Sequence, residues 1–391
     1  MNYRKENDMT IVIRIYILLC LSLLLFDVVF LMVRSRKNLA AYRTNRSFAK
    51  AVREEIDIHR ENGAFRTAFT DSLGEKLSKT RNLLTLQNTV GDDAEAWAWF
   101  RPFVLDRMEC YAAKDNSEQA YYTYLLSTFD YRREPLPEEY VHTLISFLDT
   151  RSLYTFSNTM LCLYAVGRAK PLMSALAKIN ERKDFYHKKL LVDGLLTVEN
   201  EVDELNRCLV EKFHSYNPYL QDCLMDYFRL RGVDVSDLCM EILRDEKADP
   251  EVSYSAMRYF SKYPNDDSKA YFLAVLADEK AGWVRQLLAV QGLGAYDDPE
   301  VFDAISRKVY SPNWHIRTNA VAYMHRRGLA KEQIFDILYR RDRYANESLL
   351  YQYRDNKEMT RYIIDTIHLL NMQDEAAAGG GAEDIPGMAT V

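Results

Sequence analysis

The residues best suited to metal or nucleophilic chemistry in this 391-residue chain are seven histidines and six cysteines. His59, His142, His187, His214, His315, His325 and His368 include no pair at i, i+3 or i+4. Two imidazoles on one face of a helix around a metal are therefore excluded. The cysteines show no CxxC and no framework spacing. Cys20 falls in a long apolar run, and Cys110, Cys162, Cys208, Cys223 and Cys239 fall in apolar helical stretches. They read as small buried hydrophobes of a reducing compartment. There is no Gly-rich phosphate loop, no HExxH, no GxSxG and no nucleophile set beside a base. Gly379-Gly380-Gly381 lacks the following helix that a phosphate cradle needs. The residues thus predict no catalytic group, no metal and no cofactor.

Charge is more informative than chemistry. Residues 11–33 read IVIRIYILLCLSLLLFDVVFLMV. At about 1.5 Å per residue they would span roughly 34 Å, enough for a hydrocarbon core of about 30 Å. The run is followed by Arg34, Arg36 and Lys37 and by no small-x-small cleavage site, which favours a single uncleaved anchor over a secretory signal. Arg34, Arg36, Lys37, Arg43, Arg46, Lys50 and Arg53 outnumber Arg4, Lys5 and Arg14. That bias predicts a single-pass protein of the cell membrane, N-terminus outside and the bulk cytoplasmic. Arg34, Arg36, Lys37, Arg43 and Arg46 are then candidate contacts for anionic lipid, with fixing of topology as the plainer role. Arg14 can snorkel. Asp27, roughly 9 Å from the inner end, cannot easily do so. Protonation, local thinning of the bilayer, or a bond to a partner's transmembrane helix all fit a carboxylate at that depth.

Those side chains need a scaffold, and composition says it is helical. The chain is 48% hydrophobic and 28% charged, with only 14 Gly and 10 Pro. This argues for a large core and against both wholesale disorder and a loop-rich β fold. Removing the basic collar leaves the rest near −13, a poor partner for nucleic acid. Beyond residue 115 a period of about 32 residues emerges. Leu220, Val252, Val284 and Ile316 share one register position. Leu224, Ala256, Leu288 and Ala320 share the position four later, and Met225, Met257, Ala289 and Val321 the next. Phe228, Phe260, Gly292 and Met324 complete one apolar helical face. Met160, Val192, Tyr164 and Leu196 extend this comb backward, and Lys188 breaks it. Amphipathic segments Glu138–Asp149, Pro171–Arg182, Val202–His214, Val235–Glu246, Ser268–Glu279, Pro299–Tyr310 and Lys331–Arg341 lie between, so each unit is an αα-hairpin of helices A and B. Gly167, Gly232, Gly294 and Gly328 are placed for left-handed caps at the ends of A helices. Asp245-Glu246-Lys247-Ala248 and Asp278-Glu279-Lys280-Ala281 close two B helices with the same four letters.

Val284, Arg285 and Leu288, with Ile316, Arg317 and Ala320, resemble the V-R-x-x-A signature of short bacterial HEAT repeats. Asp249-Pro250-Glu251-Val252 and Asp298-Pro299-Glu300-Val301 resemble the D-P-x-V opening of such units. Ser253 replaces the arginine in one repeat. The resemblance implies an α-solenoid of about seven αα-hairpins that binds other proteins along its surface.

The expected order is a flank at 1–10, a transmembrane helix at 11–33, a basic helical linker at 34–60, a helical cap at 61–114, repeats at 115–371 and a disordered tail at 372–391. In the linker and cap, 47–60, 64–89 and 94–113 read as helices, with Gly74 interrupting the second and Asp92-Asp93 capping the third. Trp283 and Trp314 open A helices, where packing between repeats and a binding role both suit them. The favoured function is an adaptor that docks proteins at the inner membrane face, fitting an envelope polysaccharide synthesis or export complex. The alternatives are a lyase similar to bilin-attaching HEAT-repeat proteins, and an elastic or sensory module.

Overall fold

A computed structural model describes residues 45–182 and 186–379, together with Ser22 and Phe26. Among the described residues the chain is helical with no strand. It divides into two compact units, one ending at Lys178 and the other beginning at Ile179.

The expected fold class is corrected in one respect. No helix among the described residues is long and apolar enough to cross a membrane. Lys357–Gly379 has the length, at 23 residues, but carries Lys357, Glu358, Arg361 and Asp365, whose charges hydrocarbon would not solvate. The run 11–33 lies outside the described residues except for Ser22 and Phe26, both helical and exposed.

In the first unit, α1 covers 45–62, followed by α2 (Thr67–Leu77), α3 (Thr80–Val90), α4 (Ala94–Leu105), α5 (Met108–Ala112), α6 (Asn116–Ser127), α7 (Glu138–Ser146) and α8 (Leu153–Val166). Helix α9 (Ala169–Glu181) carries the chain into the second unit. Helix α6 packs on α3, α5 and α8, and α2 on α3 and α4. The single helix expected over 64–89 is two, and the break is at Ser78 and Lys79 rather than Gly74. Side chains from elsewhere in the unit satisfy the carbonyls freed there: Tyr111 Oη donates to Leu77 O at 2.9 Å and Lys114 Nζ to Ser78 O at 2.5 Å. Gly74 lies inside α2, where the Arg107 guanidinium passes 3.5 Å from the space a Cβ would take. The helix expected over 94–113 is likewise divided, at Asp106 and Arg107. Glu55, fully buried on α1, takes the Arg66 backbone N–H at 3.0 Å and the Arg66 guanidinium, anchoring the start of α2.

The second unit continues with α10 (Lys188–Leu196), α11 (Val202–Glu211), α12 (Pro218–Arg231), α13 (Ser236–Arg244), α14 (Pro250–Lys262), α15 (Asp266–Ala277) and α16 (Trp283–Leu293). It ends with α17 (Pro299–Arg307), α18 (Trp314–Arg326), α19 (Lys331–Tyr339), α20 (Arg343–Tyr353) and α21 (Lys357–Gly379). Each A helix packs on the next, from α10 through α12, α14, α16 and α18 to α20. Each of α13, α15, α17 and α19 lies against the A helix that follows it. Every residue of the four-repeat comb is buried except Val284, which is half-buried. The repeated Asp-Glu-Lys-Ala makes the same turn twice: Asp245 and Asp278 each accept, at 2.9 Å, the backbone N–H two residues on. Gly167 and Gly232 are left-handed caps at φ 67° and 84°. Gly294 is not, because its φ of −59° keeps it right-handed. Helix α21 runs on past residue 372, and Asp374 is paired with Arg341 at 2.8 Å.

The period also appears in hydrogen bonds. Arg231 donates to Leu196 O and Val198 O at 3.0 and 2.9 Å. Lys262 and Tyr263 donate to Arg229 O at 3.0 and 3.1 Å, and Arg327 to Tyr296 O at 2.6 Å. Long side chains near the end of one A helix thus satisfy carbonyls in the last turn of the A helix one repeat earlier, or in the loop after it.

Candidate docking surface

Most large apolar groups in the second unit are inside; a run of aromatic rings on α16, α18 and α20 is not. Trp283 and Trp314 remain 51% and 50% exposed, and Tyr351 47%. Trp283 stacks on His315 at 6.0 Å between ring centres. His315 meets Trp314 edge-on at 5.0 Å, and Trp314 meets Tyr351 at 6.1 Å. The Arg354 guanidinium lies 4.5 Å from the Tyr351 ring centre. One aromatic ridge therefore crosses three successive A helices.

Capping fixes the ridge to its scaffold. Asn313 Oδ1 accepts from His315 N and Ile316 N at 2.9 and 3.3 Å, which sets the first turn of α18 and the direction of both its rings. Asp342 caps α20 in the same way, accepting from Ala345 N at 2.8 Å. Beneath the rings, Leu288, Ile316 and Ala320 are buried between helices. Arg285 and Arg317 occupy equivalent register positions but do not form a ladder. Arg285 donates to Tyr271 Oη on α15 at 2.7 Å. Arg317, 4% exposed, donates to Ser311 O and Pro312 O at 2.7 and 2.9 Å and lies 5.0 Å from the Tyr344 ring centre. The two Asp-Pro-Glu-Val openings also differ: Asp249 caps α14, whereas Asp298 makes no cap bond and pairs with Lys269 at 3.3 Å.

Of the other sequence candidates, Asp27, Arg34, Arg36, Lys37 and Arg43 lie outside the described residues, and Arg46 is exposed on α1. Trp97 packs on Phe129 and donates to Gly91 O at 2.9 Å, and Trp99 stacks on His59 at 3.9 Å. Sequence reasoning missed His315 and Tyr351 as ridge members. A signal existed for the first, because His315 stands one 32-residue step beyond Trp283.

Where Lys188 breaks the comb, a polar chain replaces the apolar face. Its ammonium sits 2.8 Å from Asp222 and 2.6 Å from Asp226. Arg229 reaches Asp226 at 3.0 Å, and Ser255 Oγ donates to Asp222 at 2.6 Å. Burial opposes both charges, yet the mutual hydrogen bonds outweigh it: Lys188 is raised and Asp226 lowered from their ordinary ranges. Each carboxylate is committed to a cation, so neither is free to act as a base.

Burial raises the thiols of Cys162, Cys208, Cys223 and Cys239 from their ordinary range. Burial pushes Cys162 and Cys223 up to about 12. Among the described residues no group of three or more His, Cys, Asp or Glu could hold a metal ion. This arrangement can bury apolar surface against a partner. In comparisons with known proteins, no family model and no curated sequence matches the chain.

Proposed function

We propose that the chain is a helical-repeat scaffold that docks protein partners at the inner membrane face, with the second unit's aromatic ridge as its principal contact. The observation that carries this reading is that Trp283, His315, Trp314 and Tyr351 form one continuous, half-exposed row across three A helices. Trp and Tyr contribute most to protein interfaces when a partner covers them, since large rigid rings bury much area at low entropic cost. The likeness of Val284-Arg285 and Ile316-Arg317 to short HEAT repeats supports a scaffold, and the basic run after residue 33 supports the location.

The test is co-purification of the tagged full chain from native membranes and cytosol, wild type beside Trp283→Ala/Trp314→Ala. The expected result is a partner at fixed stoichiometry that is lost from the double variant and rebinds purified wild type. A partner set unchanged in the variant would overturn the assignment to the ridge.

A further inference from the structure

The first unit holds a groove of about 840 Å³ between the α3–α4 turn and the end of α6. Its walls carry Trp97, Phe129 and Tyr124, the last 49% exposed. Its charged lining is Asp92, Glu95, Asp130 and Glu134 against Arg101 and Arg133. Arg101 is 6% exposed and already spent: it pairs with Glu134 at 2.7 Å, donates to Pro135 O at 3.3 Å and lies 6.0 Å from the Phe129 ring centre. Glu134 is therefore neutralised, while Asp92 and Glu95 are exposed and pair with no cation among the described residues. Arg132 lies 3.9 Å from Asp130 and Arg133 adds one more positive charge, so Asp92 and Glu95 leave the groove with negative charge beside aromatic faces.

We infer that this groove binds an extended, lysine- or arginine-bearing segment of a partner protein. A cation between Trp97, Tyr124 and the Asp92 and Glu95 carboxylates gains both cation–π attraction and ion pairing. The volume suits several residues of chain, more than one small cation needs. The groove lies within the first unit, so the inference goes beyond the ridge reading and does not depend on it.

The experiment is fluorescence anisotropy of a labelled arginine–serine nonapeptide with the purified full chain, and of the glutamate–serine equivalent. Asp92→Asn/Glu95→Gln is compared with Asp303→Asn/Glu332→Gln, which removes the same charge from exposed sites in the second unit. Loss of two ion pairs beside aromatic walls should weaken the basic peptide by about tenfold, against under about twofold for the control. Thermal unfolding of each variant checks that the fold is intact. Equal losses in both variants would reduce the effect to diffuse attraction by an acidic protein and overturn the site. So would the absence of basic-peptide binding, or full displacement of the peptide by equimolar spermidine.

Discussion

Gly292 occupies the place in the comb where Phe228, Phe260 and Met324 stand in other repeats. The space is taken instead by the Phe272 ring of α15: a Cβ at 292 would lie 2.3 Å from Phe272 Cε2. Gly292→Ala should therefore destabilise by about 1–3 kcal/mol through overpacking, although alanine is the better helix former. Thermal unfolding checks this, and an unchanged melting temperature would mean the ring yields freely. Lys188 permits a second prediction. Asp226, lowered, contributes stability present above its unfolded value of about 3.9 and lost as pH falls through its folded value. Lys188, raised, contributes stability present below its unfolded value of about 10.4 and lost as pH rises through its folded value. Lys188→Ala should cost about 1–3 kcal/mol at pH 7 and flatten the acid decline. Denaturant unfolding at pH 7 and below pH 4 would show it; identical acid limbs in both proteins would refute it.

Ala320 tests the register of an element. It is fully buried on α18, whose neighbours are α16, α17 and α20. Ala320→Asp places an unpaired carboxylate there, at a cost of more than about 3 kcal/mol. Loss of the helical circular dichroism signal, or a much lower midpoint, is expected. A wild-type melt would show that residue 320 does not face the core. At this scale the sequence was largely legible. The segment read as 299–310 is α17 plus a 3-10 turn at Lys308–Tyr310, and the identical Asp-Glu-Lys-Ala stretches make identical turns. Where the reading failed, in the division of 64–89 and 94–113, the deciding groups came from elsewhere in the unit. Tyr111 and Lys114 hold the carbonyls at the first break, and Tyr140 Oη donates to Asp106 at the second at 2.7 Å.

At the scale of the second unit, repetition does two things. Inside, carbonyls in the last turn of an A helix or the loop after it accept hydrogen bonds from side chains one repeat later, which accounts for part of the chain's 27 tyrosines. Each repeat is thereby tied to its neighbour, as in other stacked arrays. Outside, the same period sets His315 against Trp283, and Trp314 and Tyr351 extend that row. Because both tryptophans are half-exposed, Trp283→Ala/Trp314→Ala should change folding stability by less than about 1 kcal/mol while removing the partner. Unfolding measured beside co-purification separates a docking role from packing; a large drop in midpoint would assign the rings to the core.

The sequence by itself determined the helical class, the 32-residue spacing and the inward face of the A helices, because apolar periodicity is local and repeats itself. It also carried the apolar run at 11–33, which lies outside the described residues apart from Ser22 and Phe26. Only the tertiary structure decided which equivalent residues do equivalent work. Arg285 and Arg317 share a register position yet take different partners, and the same Asp-Pro-Glu-Val letters open an A helix at Asp249 and a B helix at Asp298, with a cap bond at the first only. The groove around Trp97 and Arg101 was likewise invisible, since residues about thirty positions apart form it. The physical reason is the same in each case. Burial follows from the pattern along one helix, whereas a partner is chosen by the neighbouring helix that happens to pack there.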